Sequence, residues 1–280
     1  MGKWPILDKI EMIDGPVDDK DYERELEKLQ HRLLDLQVYH LRTGGRVIIG
    51  IDGWDAAGKG GLIERIVAGL EPKSTQVWRI GAPTPEEQGR HYLWRFWDRL
   101  PAPGNWAIFD RTWYGRVLVE RIEGLCGAEV WKRAYREIND FERQLTDDGA
   151  CIVKILVHVS AEEQKRRMVE RLEKPHKRYK VGLEDFRNIA RREAYLEAYD
   201  DMLERTDTDY APWHVIASDN KMHARLKGLR ILADVIGKGM EIPEQSLDPR
   251  IAEAAAKLWG WKPGDHEPHK DKKKNNGNDK

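Results

Sequence analysis

The stretch RVIIGIDGWDAAGKGGLIERIVAGL, residues 46–70, is the most informative about the fold. Residues 46–52 form a short apolar run bounded by glycines, which is typical of a buried parallel strand. A glycine-rich turn follows at once, and residues 59–70 read as a helix. This strand–turn–helix unit predicts an α/β protein rather than a helical bundle or an all-β sandwich.

The rest of the chain repeats the alternation. Further strands are predicted at residues 75–80, 105–110, 151–159 and 213–217. Helices are predicted at residues 20–42, 85–99, 117–123, 129–147, 161–173, 183–205 and 221–236. Strands that alternate with helices favour a three-layer α/β fold, with a mainly parallel sheet covered by helices on both faces.

Composition limits the function classes. The 280 residues suit one large or two small domains, and 48 basic against 49 acidic residues argue against a globally basic nucleic-acid binder. No signal-peptide pattern or run of about 20 apolar residues is found, so we expect no membrane partner. Two cysteines suit a reducing, cytoplasmic location. We expect an N-terminal arm at 1–19, the main domain at 20–240, and a C-terminal extension with a disordered tail at 241–280.

The turn after the first strand matches G-x-x-x-x-G-K, with Gly60 where Ser or Thr is usual. Its backbone N–H groups and Lys59 are suited to hold phosphate, and Asp55 can replace the missing hydroxyl as a Mg²⁺ ligand. A glycine-rich turn that binds nothing is the alternative. The predicted phosphate-binding loop comprises Gly53, Trp54, Ala56, Ala57, Gly58, Gly60 and Gly61.

A second acid ends another strand. Asp110 closes the run NWAIFD, and Arg111 and Arg116 follow within six residues. Ligands bind at the carboxyl ends of strands in open α/β sheets, where an acid can hold Mg²⁺ and arginines can bind phosphate oxygens. The alternative is an Asp–Arg ion pair that caps the next helix.

The segment KRRMVERLEKPHKRYK, residues 165–180, holds eight Lys or Arg and two Glu. Arg167 and Arg171 share a helix face, and a hinged basic segment of this kind can close over phosphates. The segment could instead be a solvated helix face or bind nucleic acid, the latter weakly supported because Tyr179 is the one aromatic residue in the segment. The predicted phosphate-binding cations after Arg171 are Lys174, Lys177, Arg178 and Lys180.

Together these motifs resemble the polyphosphate kinase type 2 family. The resemblance is carried by GWDAAGKGG (53–61), APTPEEQGRHYLWRFWDRLP (82–101), IFDRTWYGRVLVERIEG (108–124), EQKRRMVERLEKPHKRYK (163–180), TDTDYAPWHVI (206–216) and DNKMHARL (219–226). It covers about residues 20–238.

The resemblance implies a thymidylate-kinase-like P-loop fold with a helical lid at about 161–206. It further implies Mg²⁺-dependent phosphoryl transfer between inorganic polyphosphate and a nucleotide, by a homo-dimer or homo-tetramer. The residues that match the family's catalytic set are Asp55, Lys59, Asp110, Arg111, Arg116, Arg167 and Arg171, with Asp55 and Asp110 as the metal-binding acids.

Trp54 bears on the acceptor. The form GWDAAGKGG resembles the polyphosphate:AMP phosphotransferase branch, which implies conversion of AMP to ADP. Branches that favour nucleoside diphosphates more often carry Arg there, so a reversible ADP or GDP kinase stays open. A non-catalytic polyanion-binding relative and an ATP-dependent nucleoside monophosphate kinase also stay open, although Gly60 and the basic lid argue against the ATP-dependent enzyme.

Overall fold

A computed structural model of the chain describes residues 7–10, 12, 17–242 and 247–264. Five parallel strands form one sheet in the order β2-β3-β1-β4-β5. They are β1 (Arg46–Gly53), β2 (Thr75–Arg79), β3 (Trp106–Asp110), β4 (Ala150–His158) and β5 (Trp213–Ala217).

The strands are joined and flanked by helices. These are α1 (Asp19–Thr43), α2 (Lys59–Ala68), α3 (Pro85–Gln88), α4 (Trp94–Trp97), α5 (Val119–Ile122), α6 (Ala128–Asp147), α7 (Ala161–Glu173), α8 (Leu183–Ala190), α9 (Arg192–Thr206), α10 (Lys221–Ile236) and α11 (Pro249–Trp259).

The centre of the sheet is the core of the protein. Strands β1, β3 and β4 are buried along nearly their whole length, because helices cover both of their faces. Helices α1, α2 and α10 pack against one another on one face, while α6 packs against β4 and α9 on the other. The predicted three-layer α/β fold is therefore confirmed.

The strand order brings distant residues to one edge. Ile51 of β1 pairs with Asp110 of β3, and Gly53 pairs with Val157 of β4. The loop after β1 thus lies between the end of β3 on one side and the end of β4 on the other. Because parallel strands all end at this edge, side chains from separate parts of the chain converge there.

Three predicted helices are broken or shortened in the structure. The helix predicted at 85–99 is two single turns, α3 and α4, since α3 ends at Gly89 and Glu87 is held by Arg99. The helix predicted at 117–123 is shortened to the single turn α5, and a 3-10 turn at Trp113–Arg116 precedes it.

The third break lies in the lid. The helix predicted at 183–205 is interrupted at Arg191, which leaves the helical conformation with φ −108° and ψ 24°. Arg191 donates to the carbonyl of Ile122, whereas Arg192 donates to the carbonyl of Val159. These anchors lie on different parts of the protein, so the two arginines hold α8 and α9 as separate helices.

The described residues separate into two compact units, one on each side of the boundary between residues 240 and 241. In the first, Leu7–Lys9 forms a 3-10 turn within the predicted arm, with Leu7 buried and its N–H donating to Asp200. In the second, α11 was not predicted; it begins after the capping residue Asp248. The predicted disordered tail from residue 269 lies outside the described residues.

Among the described residues, no helix is both long enough and apolar enough to cross a membrane.

Candidate functional site

A cavity of about 1090 Å³ opens at the carboxyl ends of the strands. Typical small-molecule sites are about 300–1,000 Å³, so this cavity has room for more than one small ligand. The loop at 54–61, Asp110 and Arg111 line it on the side of the sheet. Residues of the segment 167–187 line it from the lid side. Both acids and the basic segment predicted from the sequence therefore face the same space.

The loop backbone is tightly constrained. Gly53 has φ 139°, and a Cβ there would lie 2.2 Å from the carbonyl oxygen of Val157. Gly58 has φ 112°, and Ala56 also has a positive φ of 62° although it is not glycine. Left-handed residues outside glycine are uncommon and cluster at functional sites. The loop is therefore held in the compact turn that the sequence motif predicts.

Lys59 is folded inward. Its Nζ donates to the carbonyl oxygens of Gly53 and Trp54, at 2.6 and 2.9 Å. Burial lowers the pKa of Lys59, and the charge of Asp55 opposes that shift. The lysine is thus a nearly buried cation at the centre of the loop, ready to exchange carbonyl contacts for a phosphate oxygen.

Asp55 is held by two donors from different elements. Arg111 donates to Oδ1 at 3.1 Å, and Asn188 of α8 donates to Oδ2 at 2.7 Å. Burial by itself would raise the pKa of Asp55, but the Lys59 charge and these two donors lower it below its usual value. The carboxylate is therefore ionised, as a ligand for a divalent cation must be.

The donors present suit Mg²⁺. Among the described residues, no group of three or more His, Cys, Asp or Glu is placed to hold a metal by itself. Mg²⁺ usually keeps several waters and is bound by one or two carboxylates together with substrate phosphates. Asp55 and Asp110 supply two such carboxylates in one cavity, so the residues fit this ion better than a metal that needs a full protein cage.

Asp52 is a buried acid that no sequence motif indicated. It lies at the end of β1 and accepts a hydrogen bond from the Thr112 hydroxyl at 2.6 Å. Burial raises its pKa to about 6, against the effect of that hydrogen bond and of Lys59. The Asp52–Thr112 bond ties the end of β1 to the turn that carries Arg111, whose φ is 67°.

Arg167 occupies an unexpected position for a lid arginine. Its side chain is buried, and its Nε donates to Glu163. One terminal nitrogen donates to the carbonyls of Ala56 and Ala57, and the other to the carbonyls of residues 218 and 219. A guanidinium has five N–H donors, and all are used here within the protein. Arg167 therefore supports the loop through these contacts, and it also lines the cavity.

The remaining predicted lid cations divide into two groups. Arg171, Lys177 and Lys180 line the cavity. Lys174 pairs with Glu170 at 2.6 Å, and Arg178 donates to a lid backbone carbonyl; neither is among the residues that line the cavity. The sequence places these cations on one segment but does not show which side of the segment each one occupies.

Arg116 also points elsewhere. Its guanidinium pairs with Glu120 at 2.8 Å and lies over the ring of Tyr92, 4.3 Å from the centroid. It does not belong to the set of residues that line the cavity. A direct phosphate contact by Arg116 would require a rearrangement of this ion pair.

Trp54 borders the cavity, but its side chain is buried against the lid helices. Its ring is 4% exposed, and its Nε1 donates to His158 at 2.8 Å. Tyr199 packs at 5.0 Å between ring centroids, and the Arg192 guanidinium lies 4.1 Å above the ring. Trp54 therefore links the loop to the hinge between α8 and α9.

Several residues in or next to the cavity were not among the site residues predicted from the sequence. Asn188 and Gln164 lie in predicted helices, and both donate to Asp55. Gln164 donates to the backbone carbonyl of Asp55, and Asn188 donates to its carboxylate. The additional cationic residues that line the cavity are Arg79, Arg187, Lys221 and Arg225. They come from separate parts of the chain, so local patterning does not connect them.

A parallel sheet, a glycine loop with a buried lysine after β1, and acids beside it define a P-loop phosphate-binding protein of the kinase-like class. The sequence profile described as Polyphosphate kinase 2 (PPK2) matches residues 16–243. The chain belongs to the polyphosphate kinase 2 family.

Three similar proteins place the chain within that family. A Pseudomonas syringae pv. tomato protein named polyphosphate:AMP phosphotransferase is 45% identical over 220 residues, which are 78% of this chain and 44% of that protein. A Pseudomonas aeruginosa protein named ADP-polyphosphate phosphotransferase is 40% identical, over 76% of this chain and 70% of its own. The crystal structure of polyphosphate kinase 2 from Arthrobacter aurescens TC1 has a TM-score of 0.78 at 33% identity, covering 86% and 87% of the two chains.

The chain thus spans less than half of the length of the Pseudomonas syringae relative.

Proposed function

We propose that the protein is a Mg²⁺-dependent phosphotransferase that moves a phosphoryl group from inorganic polyphosphate to a nucleotide, with AMP converted to ADP. One observation carries the proposal. In a member of the polyphosphate kinase 2 family, Asp55, Lys59, Asp110 and Arg111 line a single cavity together with the basic lid. The 45% identity to a protein named polyphosphate:AMP phosphotransferase supports AMP as the acceptor.

The chemistry needs positioning more than acid–base catalysis. An oxygen of the AMP phosphate forms a bond to the terminal phosphorus of polyphosphate, and the bridging P–O bond to the remaining chain breaks. The leaving group is polyphosphate shortened by one unit. The transition state carries charge on the transferred oxygens, so fixed cations in a partly closed cavity stabilise it. Mg²⁺, when bound, supplies charge neutralisation and orients the phosphates.

The protein's own residues have distinct roles in this proposal. Lys59 and the loop N–H groups hold the transferred phosphoryl, and Arg111 neutralises charge next to it. Asp55 and Asp110 hold the cation. Arg171, Lys177 and Lys180 bring positive charge from the lid and help to exclude water. Arg167 holds the loop, as the use of all its N–H donors within the protein indicates.

A diphosphate acceptor is the second candidate. It is favoured by the similarity to the relative named ADP-polyphosphate phosphotransferase, of which this chain covers 70%. In this version the same cavity would hold ADP or GDP, and the reaction would be reversible. An assembly of two or four copies and a cytoplasmic location stay predictions.

One assay separates the candidates. Purified protein is incubated with Mg²⁺ and long-chain polyphosphate, with AMP, ADP or GDP as acceptor, and products are resolved by anion-exchange chromatography. We expect ADP to form fastest from AMP. Faster conversion of ADP or GDP would support the second candidate, and transfer from ATP but not from polyphosphate would contradict both.

The site itself is tested by Asp110→Asn. We expect turnover to fall by at least about 10²-fold, because the variant loses a carboxylate that would hold the cation next to the transferred phosphoryl group. Asp209→Asn is the matched control, since Asp209 is exposed and does not line the cavity. Equal activity of the two variants would contradict the assignment.

A further inference from the structure

Two residues of the lid contact Asp55 at different atoms. Gln164 of α7 donates to its backbone carbonyl at 2.9 Å, and Asn188 of α8 donates to its carboxylate at 2.7 Å. Gln164 is buried, and Arg192 donates to its amide oxygen at 2.8 Å. The α7 contact therefore fixes the backbone of Asp55, whereas the direction of its carboxylate depends on Asn188 together with Arg111.

The amide of Asn188 is held in one orientation. The hydroxyl of Tyr195 in α9 donates to its oxygen at 3.1 Å, so the NH₂ group of the amide is directed at Asp55. Burial raises the pKa of Tyr195, so the hydroxyl keeps its proton and remains a donor at neutral pH. The three side chains thus form a chain of hydrogen bonds from α9 through α8 to the glycine loop.

Helix α8 has few other contacts that hold it against the loop. None of its eight residues, all of which the structure describes, is buried. Within the described part of the chain, the bond from Asn188 to Asp55 is the one hydrogen bond that joins an α8 side chain to the glycine loop. A segment with few buried apolar contacts opens at a low free-energy cost. We therefore expect the packing of α8 against the loop to depend on this bond.

These contacts leave Asp55 able to bind a cation. The two oxygens of a carboxylate offer about four lone-pair positions. Arg111 uses one position on Oδ1 and Asn188 uses one on Oδ2, so each oxygen keeps a position for a metal ion. An amide is a neutral donor, so it orients the carboxylate without the repulsion that a lysine or arginine in its place would exert on the cation. Carboxylates that bind metals are commonly oriented by such hydrogen bonds.

We propose that Asn188 is a positioning residue that aligns the carboxylate of Asp55 for a divalent cation, and that it thereby couples cation binding to the packing of the lid helix α8 against the loop. The coupling is reciprocal: if packed α8 favours the cation, the bound cation favours packed α8 to the same degree. This inference rests on the proposed function, because it takes Asp55 as a ligand of the cation used in phosphoryl transfer.

The test compares two asparagines that are partly buried in helices and donate an amide hydrogen bond to another element. Asn188→Ala removes the contact to Asp55. Asn139→Ala is the matched control, since Asn139 of α6 donates to the carbonyl of Arg205 at 2.9 Å instead of to the loop. Alanine is the better helix former, so neither change weakens its helix. Tyr195→Phe removes only the hydroxyl that orients the Asn188 amide.

Cation binding, lid opening and turnover are measured separately. Binding of Mn²⁺ alone, as a paramagnetic substitute for Mg²⁺, is followed by electron paramagnetic resonance without substrates. Hydrogen exchange of the backbone amides of α8 is followed by mass spectrometry with and without Mn²⁺. Steady-state kinetics give the Mg²⁺ concentration for half-maximal turnover and the KM for AMP, and thermal melts check that the variants fold.

We expect Asn188→Ala to raise both the Kd for Mn²⁺ and the Mg²⁺ concentration for half-maximal turnover by about 10–100-fold. Exchange in α8 should be faster in this variant without metal, and Mn²⁺ should slow the exchange in the wild type but not in the variant. Tyr195→Phe should weaken Mn²⁺ binding by about 2–10-fold, which corresponds to the loss of one neutral hydrogen bond. The KM for AMP in Asn188→Ala, and every quantity in Asn139→Ala, should stay within about twofold of wild type.

An unchanged Kd for Mn²⁺ in Asn188→Ala would overturn the inference. Tighter binding would also overturn it, because the amide would then compete with the cation for Asp55. Equal losses in Asn188→Ala and Asn139→Ala would do the same, since they would indicate a general loosening of the protein. The proposed function fails separately: if Asn188→Ala weakens Mn²⁺ binding but the wild type transfers no phosphoryl group to any nucleotide, the positioning role stands and the activity does not.

Discussion

Arg167 provides the sharpest test of how the site is built. Its five N–H donors contact Glu163 and four backbone carbonyls, two of which belong to the loop. Arg167→Ala leaves these buried acceptors without donors. Hydrogen bonds that involve a charged group contribute about 1.5–3 kcal/mol each, but removal of the cation also relieves its desolvation. Loss of one partner of a buried ion pair costs about 3–5 kcal/mol, and we expect a destabilisation in that range.

The neighbouring arginine is a matched control. Arg166 pairs with the same carboxylate of Glu163, but its side chain is 63% exposed, against 3% for Arg167. Exposed ion pairs contribute at most about 1 kcal/mol. Urea unfolding followed by circular dichroism should therefore separate Arg167→Ala from Arg166→Ala by several kcal/mol. In a domain of this size, the thermal midpoint of Arg167→Ala should fall by about 6–20 °C.

Measurements of kcat and of the unfolding free energy distinguish a structural role of Arg167 from a catalytic one. If Arg167 acts by supporting the loop, kcat and stability should fall together in Arg167→Ala. Arg167→Lys, which keeps the charge but has fewer N–H donors, should then recover part of the kcat and part of the stability. A catalytic arginine predicts a large loss of kcat with little change in the unfolding free energy. Equal unfolding free energies for Arg166→Ala and Arg167→Ala would contradict the inference that the buried N–H donors of Arg167 stabilise the protein.

Three further predictions concern the loop and the strand before it. Lys59→Met should lower kcat by about 10²–10³-fold, because the cation that stabilises the transferred phosphoryl group is removed. Stability should not fall, because burial disfavours the charged form of Lys59, as its lowered pKa indicates. A coupled ADP assay measures kcat, and thermal melts measure stability. Gly53→Ala should destabilise the protein by at least about 2 kcal/mol, since its φ is 139° and a Cβ would lie 2.2 Å from the Val157 carbonyl; normal stability in urea would contradict this. Burial raises the pKa of Asp52 from 3.8 to about 6, so the folded state binds the proton more tightly than the unfolded state does. The free energy of unfolding should therefore fall by about 3 kcal/mol in total as the pH rises from about 4 to 6. Asp52→Asn should remove that slope in unfolding titrations at a series of pH values, and an unchanged slope would show that Asp52 does not titrate in this window.

The strands and the loop were predictable because their signals are local. Residues 47–51 form an apolar run without the polar interruptions that a solvent-facing strand would need, and the glycines of the loop mark the turn directly. Asp110 was also predictable, since it ends an apolar run and parallel strands end at one edge. Each of these inferences depends on a few consecutive residues.

The lid shows where local patterns fail. The sequence predicts one helix at 183–205, and both Arg191 and Arg192 are good helix formers. The structure breaks the helix there because the two side chains are held by Ile122 and Val159, which lie far away along the chain. Propensity does not include such tertiary anchors.

Local patterns in the sequence were enough to predict the elements of the site: a parallel α/β sheet, a phosphate loop with Lys59, an acid at the end of β3, and a basic segment. The packing of the elements determines which of the cations face the cavity and which of them have partners within the protein. Arg167 lines the cavity but uses its N–H donors within the protein, and Arg116 pairs with Glu120 away from the cavity, whereas Lys221 and Arg225 reach the cavity from α10. The physical reason is that residue type and spacing set an element and its end, but the direction and partners of a long charged side chain depend on the elements packed around it.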